Sequence, residues 1–191
     1  MTKVLAFAGS TRRDSLNKKL VKFAADKARG AGGEVTLIDL RDFALPLYDG
    51  DLEEAEGAPA NANKLYEMMK LHGALLLSCP EYNSSISGVL KNAIDWVSRP
   101  RPGEPPLVAF GGKVAALLSA SPGALGGLRG LSHVRSILQN IGVLVIPNQV
   151  SVPNAHKAFA ESGELIDEGL SKKVNRLALE LVDVTRKLGA N

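Results

Sequence analysis

The chain has a single cysteine, Cys79, so no disulfide framework can hold it together. That cysteine sits in an apolar run and reads as a small core residue rather than a reactive thiol. No apolar run approaches the roughly 20 residues of a membrane span, and the first residues lead directly into a strand-like segment rather than a secretory leader. A soluble, cytoplasmic protein is the expectation. Aromatic residues are only 5% of the sequence and the net charge is only +3. The basic residues are dispersed, which excludes the clustered footprint of a nucleic-acid binder. His72, His133 and His156 have no ligand spacing with one another, so no metal site is expected. No Ser/His/Asp or Cys/His set marks a hydrolase.

What is present is a soluble globular composition, 45% hydrophobic and 23% charged, in 191 residues. That length is enough for one three-layer core, and a single domain over residues 1–191 is expected. The apolar run Val4-Leu5-Ala6-Phe7-Ala8 reads as a buried first strand. A polar turn follows, then a helix with Leu16, Leu20, Phe23, Ala24 and Lys27 on one stripe. Residues 34–39 read as strand two, and 40–59 as a long loop with an acidic run from Asp49 to Glu56. A helix over 61–71 precedes a continuous apolar strand, 74–79, of the kind buried on both faces of a parallel sheet. A helix over 88–97, a proline-rich loop at 99–106, strand four over 113–119, a helix marked by Leu128, Leu131, Val134, Leu138 and Ile141, and strand five over 143–147 complete the alternation. The last helix runs from Leu170 to Leu188 with one apolar stripe. Strand and helix alternate five times, which implies an α/β fold with a parallel sheet between two helical layers. Five strands suit the flavodoxin-like order 2-1-3-4-5, with ligands bound outside the strands' carboxyl ends at the switch point.

Three turns at strand carboxyl ends carry chemistry. The first, residues 9–17, places Ser10, Thr11, Arg12, Ser15 and Asn17 at a helix N-terminus, where free N–H groups and the dipole favour an anion. No Gly-Lys-Ser/Thr and no G-x-G-x-x-G is present, so an NTP or a dinucleotide pyrophosphate fits poorly and a single terminal phosphate fits better. The alternative for this turn is plain capping by Ser15 with solvated arginines. The second turn begins with Pro80 and displays Tyr82, Asn83 and Ser84; the third holds Gly123, Gly126 and Gly127, which let backbone approach a flat ligand. A phosphate cradle beside two such loops suits a mononucleotide with a planar ring, FMN above all.

On these residues the chain resembles the NADPH-dependent FMN reductase family, the flavodoxin-like group that includes quinone, chromate and azo-dye reductases. The matching stretches are Gly-Ser-Thr-Arg-x-x-Ser-x-Asn at 9–17, Pro-Glu-Tyr-Asn-x-Ser-x-x-Gly-x-Leu-Lys-Asn-Ala-Ile-Asp-Trp at 80–96, and Ser-x-Ser-Pro-Gly-x-x-Gly-Gly at 119–127. The resemblance implies that Ser10, Arg12, Ser15, Leu16 and Asn17 hold the FMN phosphate. It implies that Pro80, Glu81, Tyr82, Asn83 and Ser84 line the isoalloxazine, largely through backbone, with Ser121 and Gly123 on its other side. Lys91, Asn92, Asp95 and Trp96 read better as helix packing and loop tethering.

The implied activity is ping-pong transfer of hydride from NADPH or NADH to flavin N5, then to a quinone, flavin, azo compound or metal oxyanion such as chromate. No side-chain acid or base is expected in the chemistry. Arg12, Arg13, Arg99 and Arg101 are each candidates for a 2′-phosphate. The family implies a homodimer or homotetramer, with loops 45–59 and 99–106 as candidate covers for the flavin. The alternative is an electron carrier without NAD(P)H activity, but carriers are usually strongly acidic for docking, and this chain is not.

Overall fold

Alternation of side chains along short apolar runs builds the sheet and its two faces. In the computed structural model, which describes residues 1–189, the strands are β1 (Thr2–Ala8), β2 (Gly33–Leu37), β3 (Ala74–Ser78), β6 (Val114–Ala120) and β7 (Leu144–Val152). A two-stranded ribbon, β4 (Glu81–Tyr82) and β5 (Ser85–Ile86), stands apart from the sheet. The helices are α1 (Leu16–Gly30), α2 (Gly50–Glu56), α3 (Ala60–Leu71), α4 (Gly88–Val97), α5 (Leu128–Asn140) and α6 (Glu168–Lys187). All main-sheet pairings are parallel and the order is β2-β1-β3-β6-β7, the flavodoxin-like order expected.

Period-two patterning divides each central strand between two cores. Val4, Ala6 and Ala8 of β1, Leu76 of β3 and Leu118 of β6 pack under α1 and α6. Leu5 and Phe7, Leu75 and Leu77, and Leu117 face the other way, under α3, α4 and α5. The small residues Ala6, Ala8, Ala74 and Ala116 let α1 lie close to the sheet, and its Leu20, Ala24 and Ala28 are buried there. Cys79 is fully buried, and burial pushes its thiol up to about 12, as befits a core residue.

Three expectations need correction. The stretch 40–59 is not a plain loop: it holds a 3₁₀ turn at Leu40–Asp42 and the helix α2. Asp39 and Asp49 cap these, accepting from Arg41 N and Asp51 N at 2.9 Å each, and Asp51 and Glu53 suit the positive end of α2. The acidic run is therefore a helix start. Strand five does not stop at Pro147. An irregularity in the β6–β7 register absorbs the proline on this edge strand, and pairing resumes from Gln149 to Val152. The stretch 80–87 is a hairpin rather than a simple turn. Loop 99–106, a candidate cover for a neighbouring subunit's site, follows the carboxyl end of α4, at the edge of the sheet opposite the three turns. Glu104 binds Tyr66 and, at 2.5 Å, Lys70 of α3, so within its own chain this loop does not cover them.

At that same far edge Lys113 is buried and donates from Nζ to the carbonyls of His72 (2.7 Å) and Lys70 (3.4 Å) at the end of α3. Burial pushes its ammonium down to about 8. Between that value and the ordinary lysine value of about 10.4, the unfolded chain holds a proton that the folded chain has lost. Lys113 therefore makes stability rise with pH across that window. Cys79 acts in the opposite sense, but equally in any Lys113 variant. We expect wild type to gain on the order of 2 kcal/mol over Lys113→Met between pH 7.5 and 9.5, measured as the difference in urea unfolding free energies. A difference independent of pH would refute this.

Candidate functional site

The carboxyl ends of β1, β3 and β6 lie side by side, so the three turns that follow them share one edge of the sheet. Direct bonds lock them together. Gly9 N donates to Ser78 O (2.9 Å), and Ser87 Oγ donates to Gly9 O (2.6 Å). A Cβ on Gly9 would sit 3.0 Å from the Leu90 side chain, so the first turn lies directly against α4. The tightest tie is Asn17. Its buried amide oxygen accepts from Ser78 Oγ (2.9 Å) and Ala120 N (3.0 Å), and its Nδ2 donates to Ala120 O (2.9 Å). The Asn17 side chain therefore joins the ends of β3 and β6 to the start of α1. Its amide, expected on a phosphate, is mostly committed to the protein.

The rest of the first turn is open to a ligand. Ser15 occupies the cap position of α1, yet its hydroxyl caps no backbone N–H, and the first helical turn carries no carboxylate. Ser10 is buried, and its Oγ accepts from Arg12 N (3.2 Å). Arg12 and Arg13 are exposed, and among the described residues neither makes an ion pair. Leu16 turns its side chain toward the α1–α6 core and leaves only its backbone at the turn. An uncapped helix start, two serine hydroxyls and an unengaged guanidinium are the donor set a phosphate dianion requires.

The second turn is the β4–β5 hairpin. Asn83 (φ 49°) and Ser84 (φ 64°) both lie in the left-handed region, as a two-residue hairpin loop demands. Asn tolerates that region; a non-glycine neighbour there is a mark of functional loops. Pro80 is buried at the strand exit, while Tyr82 and Asn83 are exposed. Glu81 turns its carboxylate away from the hairpin tip. It receives Arg129 at 2.5 and 2.8 Å and Gly130 N at 3.1 Å. Burial alone would raise its pKa, but the hydrogen bonds and charge of Arg129 and the Gly130 N–H hold it below the ordinary carboxylate value. His133 Nδ1 lies 2.8 Å from Ser85 Oγ, a second pin between hairpin and α5.

In the third turn Ser121 Oγ accepts from Gly123 N (3.2 Å), and Ser121 O accepts from Ala155 N (3.0 Å). Gly126 and Gly127 are needed by the protein itself. A Cβ on Gly126 would meet Val152 and Pro153 backbone at 2.7 Å, and one on Gly127 would meet Ser119 at 2.9 Å, both at positive φ. Of the three glycines expected to face a ligand, only Gly123 has open space around it, its nearest neighbour being Ser121 Oγ at 3.6 Å. The helix α5 starts with Gly127 as an uncapped N-cap, and Ser119 Oγ beneath it is buried without a partner. Two uncapped helix starts thus face one edge, while α4 is capped by its own Ser87, whose Oγ accepts from Leu90 N (3.3 Å). The donor set fits a phosphate at α1 and polar ring atoms near the hairpin and α5.

Asn92 and Trp96 tether a loop, as read from the sequence. Both donate to Pro46 O at 2.8 Å, and Asn92 Oδ1 accepts from Tyr48 N at 2.8 Å. Lys91 pairs with Asp95 along α4. Sequence reasoning missed Arg129 and Ser87. The Ser87 cap has a local signal, a serine just before an apolar helical run; Arg129, 48 positions from Glu81, has none.

The profile of a family described as NADPH-dependent FMN reductase matches residues 2–157. An NAD(P)H-dependent FMN reductase of Pseudomonas aeruginosa is 39% identical over 168 residues, covering 87% of this chain and 85% of the relative. A quinone reductase of Escherichia coli is 34% identical over 169 residues, covering 87% and 86%. Among solved structures, the flavoenzyme NAD(P)H:(acceptor) oxidoreductase FerB of Paracoccus denitrificans superposes with a TM-score of 0.80 at 30% identity, covering 98% of each chain.

Two substitutions probe the frame of the site. Asn17→Ala removes three buried hydrogen bonds and strands the Ala120 backbone groups, an expected loss of roughly 3 kcal/mol in urea unfolding. Glu81→Gln should cost roughly 1–2 kcal/mol at pH 7. Because the Glu81 pKa is depressed, its contribution is present above the unfolded carboxylate value and fades as pH falls through the folded one. The gap between wild type and Glu81→Gln should therefore narrow as pH falls below the ordinary carboxylate range. A gap that does not change with pH would exclude the ion pair as its source.

Proposed function

The chain belongs to the NADPH-dependent FMN reductase family, and from that membership we propose that it holds FMN at the three turns and passes electrons from NAD(P)H to small-molecule acceptors. The observation that carries this reading is the uncapped start of α1 with Ser10, Ser15 and an unpaired Arg12 at the switch point of the sheet. Ser10, Arg12, Ser15 and the free N–H groups of 15–17 bind the phosphate. Asn17 positions that turn from below and adds backbone. Pro80 to Ser84 offer backbone groups to the isoalloxazine, and Ser121 and Gly123 flank it.

FMN supplies two-electron hydride chemistry at its N5 when bound. The chain's own work is positioning and electrostatics. The hairpin is held rigid by Arg129, Gly130 and His133, so its exposed groups meet the ring without reorganising. The uncapped start of α5 and the Ser119 hydroxyl stabilise negative charge that arrives with the electrons. No side-chain acid or base is required. NAD(P)H and acceptor use one place in alternation, which gives ping-pong kinetics, and quinones, free flavins, azo compounds and chromate are the acceptor classes. Exposed Tyr82, Leu125 and Leu128 around the turns suit contact with a second copy in a homodimer or homotetramer. Among the described residues no helix is long and apolar enough to cross a membrane. Dependence on NAD(P)H fits a cytoplasmic protein.

The test is spectroscopic. Protein incubated with FMN and desalted should retain flavin absorbance, and anaerobic NADPH or NADH should bleach it. Arg12→Ala and Ser15→Ala should each weaken FMN about ten-fold and leave riboflavin affinity unchanged, since one charge-assisted bond to the phosphate is lost. Flavin retained but never bleached by either nucleotide would favour an electron carrier; no retained flavin would end the reading.

A further inference from the structure

A cleft of about 320 Å³ opens beside the first turn, on the α4 face of the sheet, lined by Thr11, Arg41, Phe43, Leu45, Val89 and Asn92 among others. Its lining is mostly apolar, with one guanidinium, one hydroxyl and one amide. One wall is held in place. Pro46 O accepts from both Trp96 Nε1 and Asn92 Nδ2, Asn92 accepts from Tyr48 N, and the Tyr48 ring meets Trp96 edge-on at 5.0 Å. The conspicuous Asn-Ala-Ile-Asp-Trp stretch of α4 thus braces a preformed cleft, which lowers the ordering cost of whatever enters it.

The arginines narrow its occupant. Arg99 is spent on Glu53 (2.8 Å) and stacks over Tyr48. Arg101 lies over Tyr66 at the far edge of the sheet, and its buried Nε and Nη2 have no partner there. Neither faces the three turns. Arg12 belongs to the phosphate turn, and Arg13 does not line the cleft. Arg41 does. Its backbone N–H is used by Asp39, whose carboxylate is paired with Lys18 at 2.6 Å. The Arg41 guanidinium has no ion pair among the described residues and is exposed at the mouth. An apolar cleft of nucleoside size with one unpaired guanidinium recognises a flat heterocycle bearing a phosphate close to its sugar. Of the two reactants in the reading above, the dinucleotide is the one that carries a flat heterocycle with a phosphate close to its sugar.

Resting on the FMN reductase reading, we propose that the cleft takes the adenosine end of NADPH and that Arg41 recognises the 2′-phosphate. Phe43 and Leu45 offer apolar surface to the adenine. Arg41 offers a fork of N–H donors to the phosphate, a geometry lysine reproduces only in part.

The experiment is calorimetric titration of FMN-loaded protein with adenosine 2′-monophosphate and adenosine 5′-monophosphate. The two probes carry the same charge and differ only in where the phosphate sits. Wild type should bind the 2′ isomer about ten-fold more tightly. Arg41→Gln should erase that preference, and Arg41→Lys should restore part of it. The ratio of KM for NADPH to KM for NADH should rise about ten-fold in Arg41→Gln. Arg41 is exposed, so the variant folds; Phe43→Ala should weaken both isomers together. Equal affinity for the two isomers in wild type, or a 2′ preference that survives Arg41→Gln, overturns the proposal. Failure of wild type to take up FMN sinks the reading it rests on. A missing 2′ preference in a protein that binds FMN and is bleached by NAD(P)H sinks the cleft assignment alone.

Discussion

One buried amide holds the working edge of this protein together. Asn17 stands at the start of α1 and bonds the ends of both β3 and β6. A side chain with fewer donors or acceptors would leave the Ala120 backbone groups or the Ser78 hydroxyl unpaired in the interior, where each unmet bond costs about 1–3 kcal/mol. The positions of the three turns relative to one another follow from that bond set. The start of α1 cannot move without breaking it, and Ser15, at the cap position, rides on that start.

The two cores set the stage on which this constraint acts. Alternate residues of β1, β3 and β6 feed the α1–α6 layer and the α3–α4–α5 layer, so both faces of the central strands are buried. Such a sheet leaves only its strand ends for chemistry, and its right-handed crossovers bring three ends to one edge. FerB of Paracoccus denitrificans, superposed on it, shares that frame. Function then depends on which polar groups are left unsatisfied at the edge. Here, among the described residues, they include the start of α1, the start of α5 and the hydroxyl of Ser119, whereas α4 caps itself with Ser87.

Much of this was legible in the order of residues. The continuous apolar run at 74–79 announced a central parallel strand, and the strand–turn–helix order of residues 2–30 announced the opening unit of the sheet. Asn92 and Trp96 read correctly as tethers. Where the reading went astray, a local signal was overridden by a less local one. Pro147 reads as a strand end because it lacks an N–H, but an edge strand with a register irregularity tolerates it. Pro46, Gly50 and Gly57 read as loop, although Asp49 and the acids after it start a helix between them. Gly126 and Gly127 read as room for a ligand, although Val152, Pro153 and Ser119 occupy that room.

The sequence by itself determined what short-range physics encodes. Periodicity set the elements, and chain alternation set the layers and the edge at which turns collect. The tertiary structure alone decided how polar groups are shared out. Asn17 was drawn inward by Ala120, 103 positions away, and Glu81 was turned onto Arg129, 48 positions away. Arg99 was spent on Glu53 while Arg41 was left unpaired beside a cleft. Hydrogen bonds and ion pairs form at about 3 Å between residues of any separation in the chain. No local pattern records which donor meets which acceptor until the sheet and its helices are packed.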